Sequence, residues 1–168
     1  MKSIFKLFVA AFLTVAPLTA TAQSNVAHIN VQQLISEMPE VIAAQNELAK
    51  LEKDYSTQID NAFKEFQTKA QSYSSDAANQ TDVTNQARQK ELESMQTNLQ
   101  EFRDSAAQEL QKKQMDLMTP LLEKARNAIT KVGEEQGFNY VIDSSPNGGI
   151  ILANGKDLLA DVKEELGF

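Results

Sequence analysis

Between Pro39 and about Gln136 the apolar residues recur in steps of three and four. In the first half they fall at Val41, Ala44, Leu48, Leu51, Tyr55, Ile59, Phe63, Phe66, Ala70 and Tyr73. In the second half they fall at Leu92, Met95, Leu99, Phe102, Ala106, Leu110 and Leu117. That spacing keeps one stripe on one face of a helix. The two stripes are also mirror images about a centre near Asn79. Phe66 falls opposite Leu92, Phe63 opposite Met95, Ile59 opposite Leu99, Tyr55 opposite Phe102, Leu51 opposite Ala106, Leu48 opposite Leu110 and Val41 opposite Leu117. The numbers in each pair sum to 157 or 158. A constant sum is what an antiparallel hairpin of two helices requires.

The first helix is predicted to start at Pro39, where proline suits an opening turn and Glu40 meets the positive end of the helix dipole. It should run to about Ser75. Residues 74–82 (SSDAANQTD) carry no large apolar group and form the bend, with Thr81 or Asp82 capping the return helix. Near the bend the stripe thins to Ala70 with Ala87, and Tyr73 with Val83 or Thr84. Little apolar area is available there, so the tip should be looser than the base. Pro39 and Pro120 lie level in the mirror register. Past Pro120 the return helix continues alone to about Glu135, and Pro120 should kink it. Its apolar face widens there to Met118, Leu121, Leu122, Ala125, Ala128, Ile129 and Val132, which demands more than one packing partner.

The flanking segments supply those partners. Asn25 to Val31 reads as a short strand, and Asn30 can cap a helical turn over Val31–Ser36. After Gly137, Phe138 to Asp143 reads as a strand, Ser144 to Gly149 as a turn, and Ile150 to Ala153 as a further strand. Asn154-Gly155 turns again, and Asp157 to Leu166 forms a last helix. The fold class is therefore α+β, mostly α: a long antiparallel helical hairpin on a small β-sheet body. Three short strands bury too little area to stand alone, and their edges would be open and apolar. An oligomer that joins the strands of several subunits is the simplest remedy.

Residues 1–22 have the plan of a secretory signal peptide. Lys2 and Lys6 precede an apolar run from Leu7 to Ala16, and Ala20-Thr21-Ala22 forms a small-x-small site. Cleavage is expected between Ala22 and Gln23. The domain plan is then a leader at 1–22 and one domain at 23–168, with a body at 23–38 and 121–168 and an arm at 39–120. Without Lys2 and Lys6, 14 basic residues face 23 acidic ones, a net charge of −9. Such a balance argues against nucleic acid as a partner. With no cysteine, the chain has no disulfide, thiolate metal site or cysteine nucleophile.

Chemistry-bearing motifs are scarce. His28 is the only histidine, and a structural role on its strand fits it better than catalysis. Glu134-Glu135 and Glu164-Glu165 read as solvated helix-end charges. Gly149 to Lys156 (GIILANGK) imitates a phosphate loop, but the spacing is one residue too long and Asp157 replaces the Ser/Thr. Asn79-Gln80-Thr81 fits a glycosylation sequon that occurs readily by chance. No catalytic residue, cofactor or metal site is assigned.

These pieces together resemble the Skp (OmpH-like) family of periplasmic chaperones. The resemblance lies in AHINVQQLI, in MPE before the arm, in LMTPLLEKARNAITKVGEEQGFNYVID and in IILANGKDLLADVKEEL. It implies a trimer with a β-built body and three helical arms around a cavity. It further implies ATP-independent holding of unfolded outer-membrane proteins in the periplasm. Two departures stand. Some members are strongly basic and this chain is acidic, which counts against contact with anionic lipid or lipopolysaccharide. The Asp-x-Thr that often precedes the last helix is Asp157-Leu158-Leu159 here, which puts the start of that helix in question.

Under this reading Phe63, Phe66, Tyr73, Met95 and Phe102 are the candidates for client contact. For most of them the hairpin seam is the better account, and Tyr73 is the best exception because its partners are small and polar. Val26, Ile29, Val141, Ile142, Ile150 and Ile151 are the candidates for the shared trimer body. From residue 64 to 103 five basic residues meet six acidic ones, so the distal arm is nearly neutral and suits weak, multiple contacts. The rival reading is a structural coiled-coil adaptor or spacer of the envelope that binds one folded partner. That reading requires a rigid, specific tip, which SSDAANQTD does not provide.

Overall fold

The computed structural model describes residues 25–146 and 149–168. The leader assigned to 1–22, the cleavage site Ala22–Gln23, and residues 147 and 148 of the expected turn lie outside the described residues. The chain is mostly helical with a small sheet. Strand β1 (Val26–Ile29) leads into helix α1 (Val31–Glu37), and α2 (Pro39–Asp76) follows at once. Asn30 caps α1 as its sequence position predicts, its side-chain oxygen accepting from the Gln33 N–H at 2.9 Å. Pro39 occupies the first turn of α2.

Helix α2 ends in a single 3-10 turn, Ala77–Asn79, and α3 (Asp82–Glu135) returns. Thr81 is its cap, accepting from the Thr84 N–H at 3.2 Å. At about 1.5 Å per residue, the 38 residues of α2 give an arm roughly 57 Å long. The mirror register holds at mid-arm: the Tyr55 and Phe102 rings meet edge to face with centroids 6.1 Å apart. Helix α3 carries Pro120 in its interior and continues to Glu135.

Past Pro120 the broad face of α3 packs as its width requires. Ala125, Ala128 and Val132 join Ala27 and Ile29 of β1, then Leu34, Met38 and Val41, and finally Leu158 and Val162 from the C-terminal segment. Small residues on α3 let the sheet come close. A Cβ on Gly133 would lie 2.8 Å from Val141 Cγ2.

The sheet is where the sequence reading needs correction. Strand β2 (Tyr140–Asp143) starts two residues later than expected, because the left-handed Gly137 folds the chain back onto the end of α3. The Phe138 N–H then donates to the Gly133 carbonyl at 2.9 Å. Ile150–Ala153 is not a strand in this chain. The third strand is β3 (Lys156–Asp157), and the order β2-β1-β3 is parallel throughout. Strand β1 has two edges, and β2 and β3 take both, so 150–153 cannot pair with β1. Gly155 admits β3, since a Cβ there would sit 2.7 Å from the Val26 carbonyl oxygen. The final helix α4 (Leu159–Leu166) also begins two residues late. Its N-cap is Leu158, which offers no side-chain bond, and the Asp157 carboxylate just before it accepts from the Leu159 N–H at 2.9 Å.

Candidate functional site

Two surfaces carry the side chains that the sequence singled out. The first is the arm. Its apolar seam is thin, and among the described arm residues beyond Ala44 only Leu99 and Ala106 are buried. Phe102 is taken up by its contact with Tyr55. Phe63 and Phe66 stack with centroids 6.5 Å apart, and Phe63 remains 39% exposed. Met95 is half-buried beside Ala62, Lys69 and Asn98. Of the five client-contact candidates, Phe63 is the large apolar side chain most open to solvent.

The tip departs from the pattern reading. Val83 is 77% exposed and gives Tyr73 no cover. Tyr73 instead lies under the Arg88 guanidinium, 4.7 Å from its ring centroid, and donates to Glu91 at 2.6 Å. Lys69 reaches the same carboxylate at 2.5 Å, and Arg88 pairs with Asp76 at 3.0 Å. The seam near the bend is therefore polar rather than empty. The Lys69 ammonium, then the Tyr73 hydroxyl, hold the Glu91 carboxyl below its ordinary range. The Arg88 guanidinium and the Asn79 amide do the same for Asp76. The Tyr73 phenol is pushed up because its hydroxyl donates to the ionised Glu91 carboxylate, which favours the protonated phenol.

Hydrophobic periodicity could not show these groups, but the mirror register could. The numbers of the cross-arm ion pairs Glu47–Lys113 and Lys69–Glu91 sum to 160, and those of Glu40–Lys124 and Asp76–Arg88 to 164. These sums lie a little above the 157 or 158 of the apolar pairs, as expected of opposite charges beside the seam that lean toward each other along the arm.

The second surface is on the body. Val26 and Val141 are half-buried. Ile29 is 1% exposed and is spent on the chain's own core. Ile142 and Ile150 are each 38% exposed, Leu152 is 74% exposed and Ile151 is fully exposed. Tyr140 on the outer strand β2 is 62% exposed. A cleft of about 790 Å³ opens beside β2, lined by Ile35, Leu122, Ile129, Phe138, Tyr140 and Val141 among others.

A polar clamp fixes β2 to the start of α1. The buried Ser145 hydroxyl donates to Asp143 at 2.6 Å and accepts from the Gln32 N–H at 3.0 Å. The Ser145 hydroxyl, then the N–H groups of Ser145 and Val31, hold the Asp143 carboxyl below its usual range. His28 Nδ1 lies 3.2 Å from the Ser144 hydroxyl, a bond within the body. Among the described residues no group of three or more His, Cys, Asp or Glu could hold a metal ion. No helix among them is long and apolar enough to cross a membrane.

Comparison with known proteins agrees with this architecture. The chain is 24% identical to the chaperone protein Skp of Yersinia enterocolitica over 159 residues, covering 92% of this chain and 93% of that protein. Its fold is similar to that of an OmpH-like protein of Caulobacter crescentus CB15 assigned as an outer membrane chaperone. The TM-score is 0.76 at 12% identity, over 86% of this chain and 85% of that one. The sequence model of the family described as outer membrane protein (OmpH-like) matches residues 25–166, and the chain belongs to that family.

Proposed function

We propose that this protein is an ATP-independent holdase of the periplasm. It binds unfolded outer-membrane β-barrel proteins between helical arms and keeps their apolar strands from pairing with other chains. The arm carries the reading. It is a long hairpin with hardly any buried core, sparse exposed aromatic groups such as Phe63, and shallow, open hollows beside Leu99. Such a surface makes weak contacts many times over, which suits a partner without fixed structure. The Skp relative supports the reading by its name, since that protein is a chaperone.

The working unit is a homotrimer whose body is shared. Ile150, Ile151 and Leu152 stand exposed on a segment with strand-like sequence, and β2 is an open edge beside an apolar cleft. Apolar strand sequence without a partner in its own chain is best satisfied by the sheet of a neighbour. The leader at 1–22 delivers the chain and is cut between Ala22 and Gln23. The body then comprises 23–38 and 121–168, and the arm 39–120. No catalytic step is part of this function.

The test is dilution of an unfolded β-barrel protein from urea, without nucleotide, followed by light scattering. Suppression of aggregation near one trimer per client is the expected result. Unchanged scattering at a several-fold excess would reject the holdase, and would leave the envelope adaptor as the better account.

A further inference from the structure

The two flanks of the arm differ in chemistry. Successive residues of a helix are rotated by about 100°, so each helix shows a row of side chains on either side of the seam. Below the bend, every polar link from α2 to α3 among the described residues uses the same flank. Its acids are Glu40, Glu47, Asp76, Glu91 and Glu109, which pair with Lys124, Lys113, Arg88, Lys69 and the Tyr55 hydroxyl respectively.

The opposite flank holds no such link. Its rows carry Gln45 and Gln67 on α2 with Gln96, Gln111 and Gln114 on α3, all exposed. Gln89 and Gln100 lie on it too, and each donates only to an acid one turn along its own helix. Phe63 shares a shallow hollow of about 450 Å³ with Phe66, Gln96, Thr97, Gln100 and Arg103. The hollow on the other side of Leu99 contains Lys69, Glu65 and Asn98. The ionised residues of the amide flank, among them Glu52, Asp60, Glu93, Arg103 and Asp104, form no pair across the arm among the described residues. At the base the same flank runs past Ile42, 45% exposed, to Leu122 at the mouth of the body cleft.

We infer that this amide flank is the client-binding face of the arm, and that its occupant is an extended, unfolded polypeptide segment. The inference rests on the holdase reading and adds which side of each arm meets the client. An unfolded chain presents backbone N–H and C=O groups in any sequence, with apolar side chains between them. A glutamine amide both donates and accepts, so it can bond either backbone group. It does so without the desolvation cost of an ionised group and without preferring one client charge. The ion-paired flank has charged groups already linked across the arm, and a client bound to those groups would first have to break the links. The length also fits. Ile42 to Phe63 spans about 31 Å at 1.5 Å per residue. A membrane-spanning β-strand of about 9–11 residues covers a similar length at about 3.3 Å each.

The experiment places a photo-crosslinking amino acid at Gln96 or Gln111 on the amide flank, and at Asn98 or Ser105 on the other. Each full-length variant is illuminated with an unfolded β-barrel protein freshly diluted from urea. Client adducts from Gln96 and Gln111 should exceed those from Asn98 and Ser105 about five-fold or more. A charge test runs beside it. The pair Gln96→Glu and Gln111→Glu should weaken client binding about ten-fold, and the pair Asn98→Glu and Ser105→Glu less than about two-fold. Equal yields from both flanks, reversed yields, or adducts to a second copy of this chain in place of client would overturn the assignment while the holdase stands. A wild type that leaves client aggregation unchanged would overturn both.

Discussion

Ile151 offers the sharpest test of assembly, because changing it should leave the single chain almost untouched and break the trimer. In the chain it is fully exposed and lies outside any helix or strand. Ile151→Asp should therefore change the stability of an isolated chain by no more than about 0.5 kcal/mol. In a trimer that buries this side chain, each copy loses the roughly 1.5–3 kcal/mol that covering an isoleucine contributes. Three equivalent sites make that about 4.5–9 kcal/mol per trimer, before any cost of burying the aspartate. At 1.4 kcal/mol per factor of ten, the trimer association constant should fall by roughly 10³–10⁶. Sedimentation velocity across a concentration series reads the assembly, and circular dichroism reads the helices. The expected variant is a helical monomer or a weakly associating species at micromolar concentration. A wild type that sediments as a folded monomer, or a variant that stays trimeric at wild-type concentrations, would refute the shared body.

Three further outcomes follow from other parts of the chain. Cysteines at Tyr55 and Phe102 should crosslink within one chain on oxidation far faster than cysteines at Tyr55 and Met95, read on a denaturing gel, since the first pair meets across the seam. Gly133→Val should destabilise the body by about 1–3 kcal/mol in a urea melt, because even a Cβ there collides with Val141. The tip should loosen in acid. The folded-state pKa values of Asp76 and Glu91 lie below their ordinary values of 3.8 and 4.5, so their contribution is complete above that range and is lost as pH falls through and below it. Nuclear magnetic resonance spectra of Tyr73 and its neighbours at pH 6 and pH 3 should show the change, and Glu91→Gln should show much of it already at pH 6.

The arm was legible because one physical constraint acts twice on it. Each helix must keep its apolar residues on one face, and the two faces must meet in antiparallel register. The mirror sum places Tyr55 opposite Phe102, and their rings meet across the seam. Local chemistry marked the helix starts as well: Asn30 and Thr81 accept from backbone N–H groups as caps, and Pro39 sits in a first turn where its missing N–H costs nothing. The polar tip was missed because hydrophobic periodicity gives no weight to arginine or glutamate. A guanidinium can cover a tyrosine ring as an apolar side chain would, so the Arg88–Tyr73 contact closes a seam that looked empty.

The body was harder, and Ile150 to Ala153 shows why. Its composition satisfies every local rule for a strand, and yet the strand beside β1 is Lys156–Asp157, which satisfies few of them. Local propensity says that a segment prefers extended backbone and an apolar neighbour. It says nothing of which edge is vacant. Within one chain β1 has two edges, and what fills them is decided by reach: β2 follows directly from the end of α3, and Gly155 brings β3 close enough to pair. A segment left over by that competition keeps its preference for a sheet. The place to look for its partner is another chain, and strand sequence left unpaired within a single chain becomes an argument about assembly.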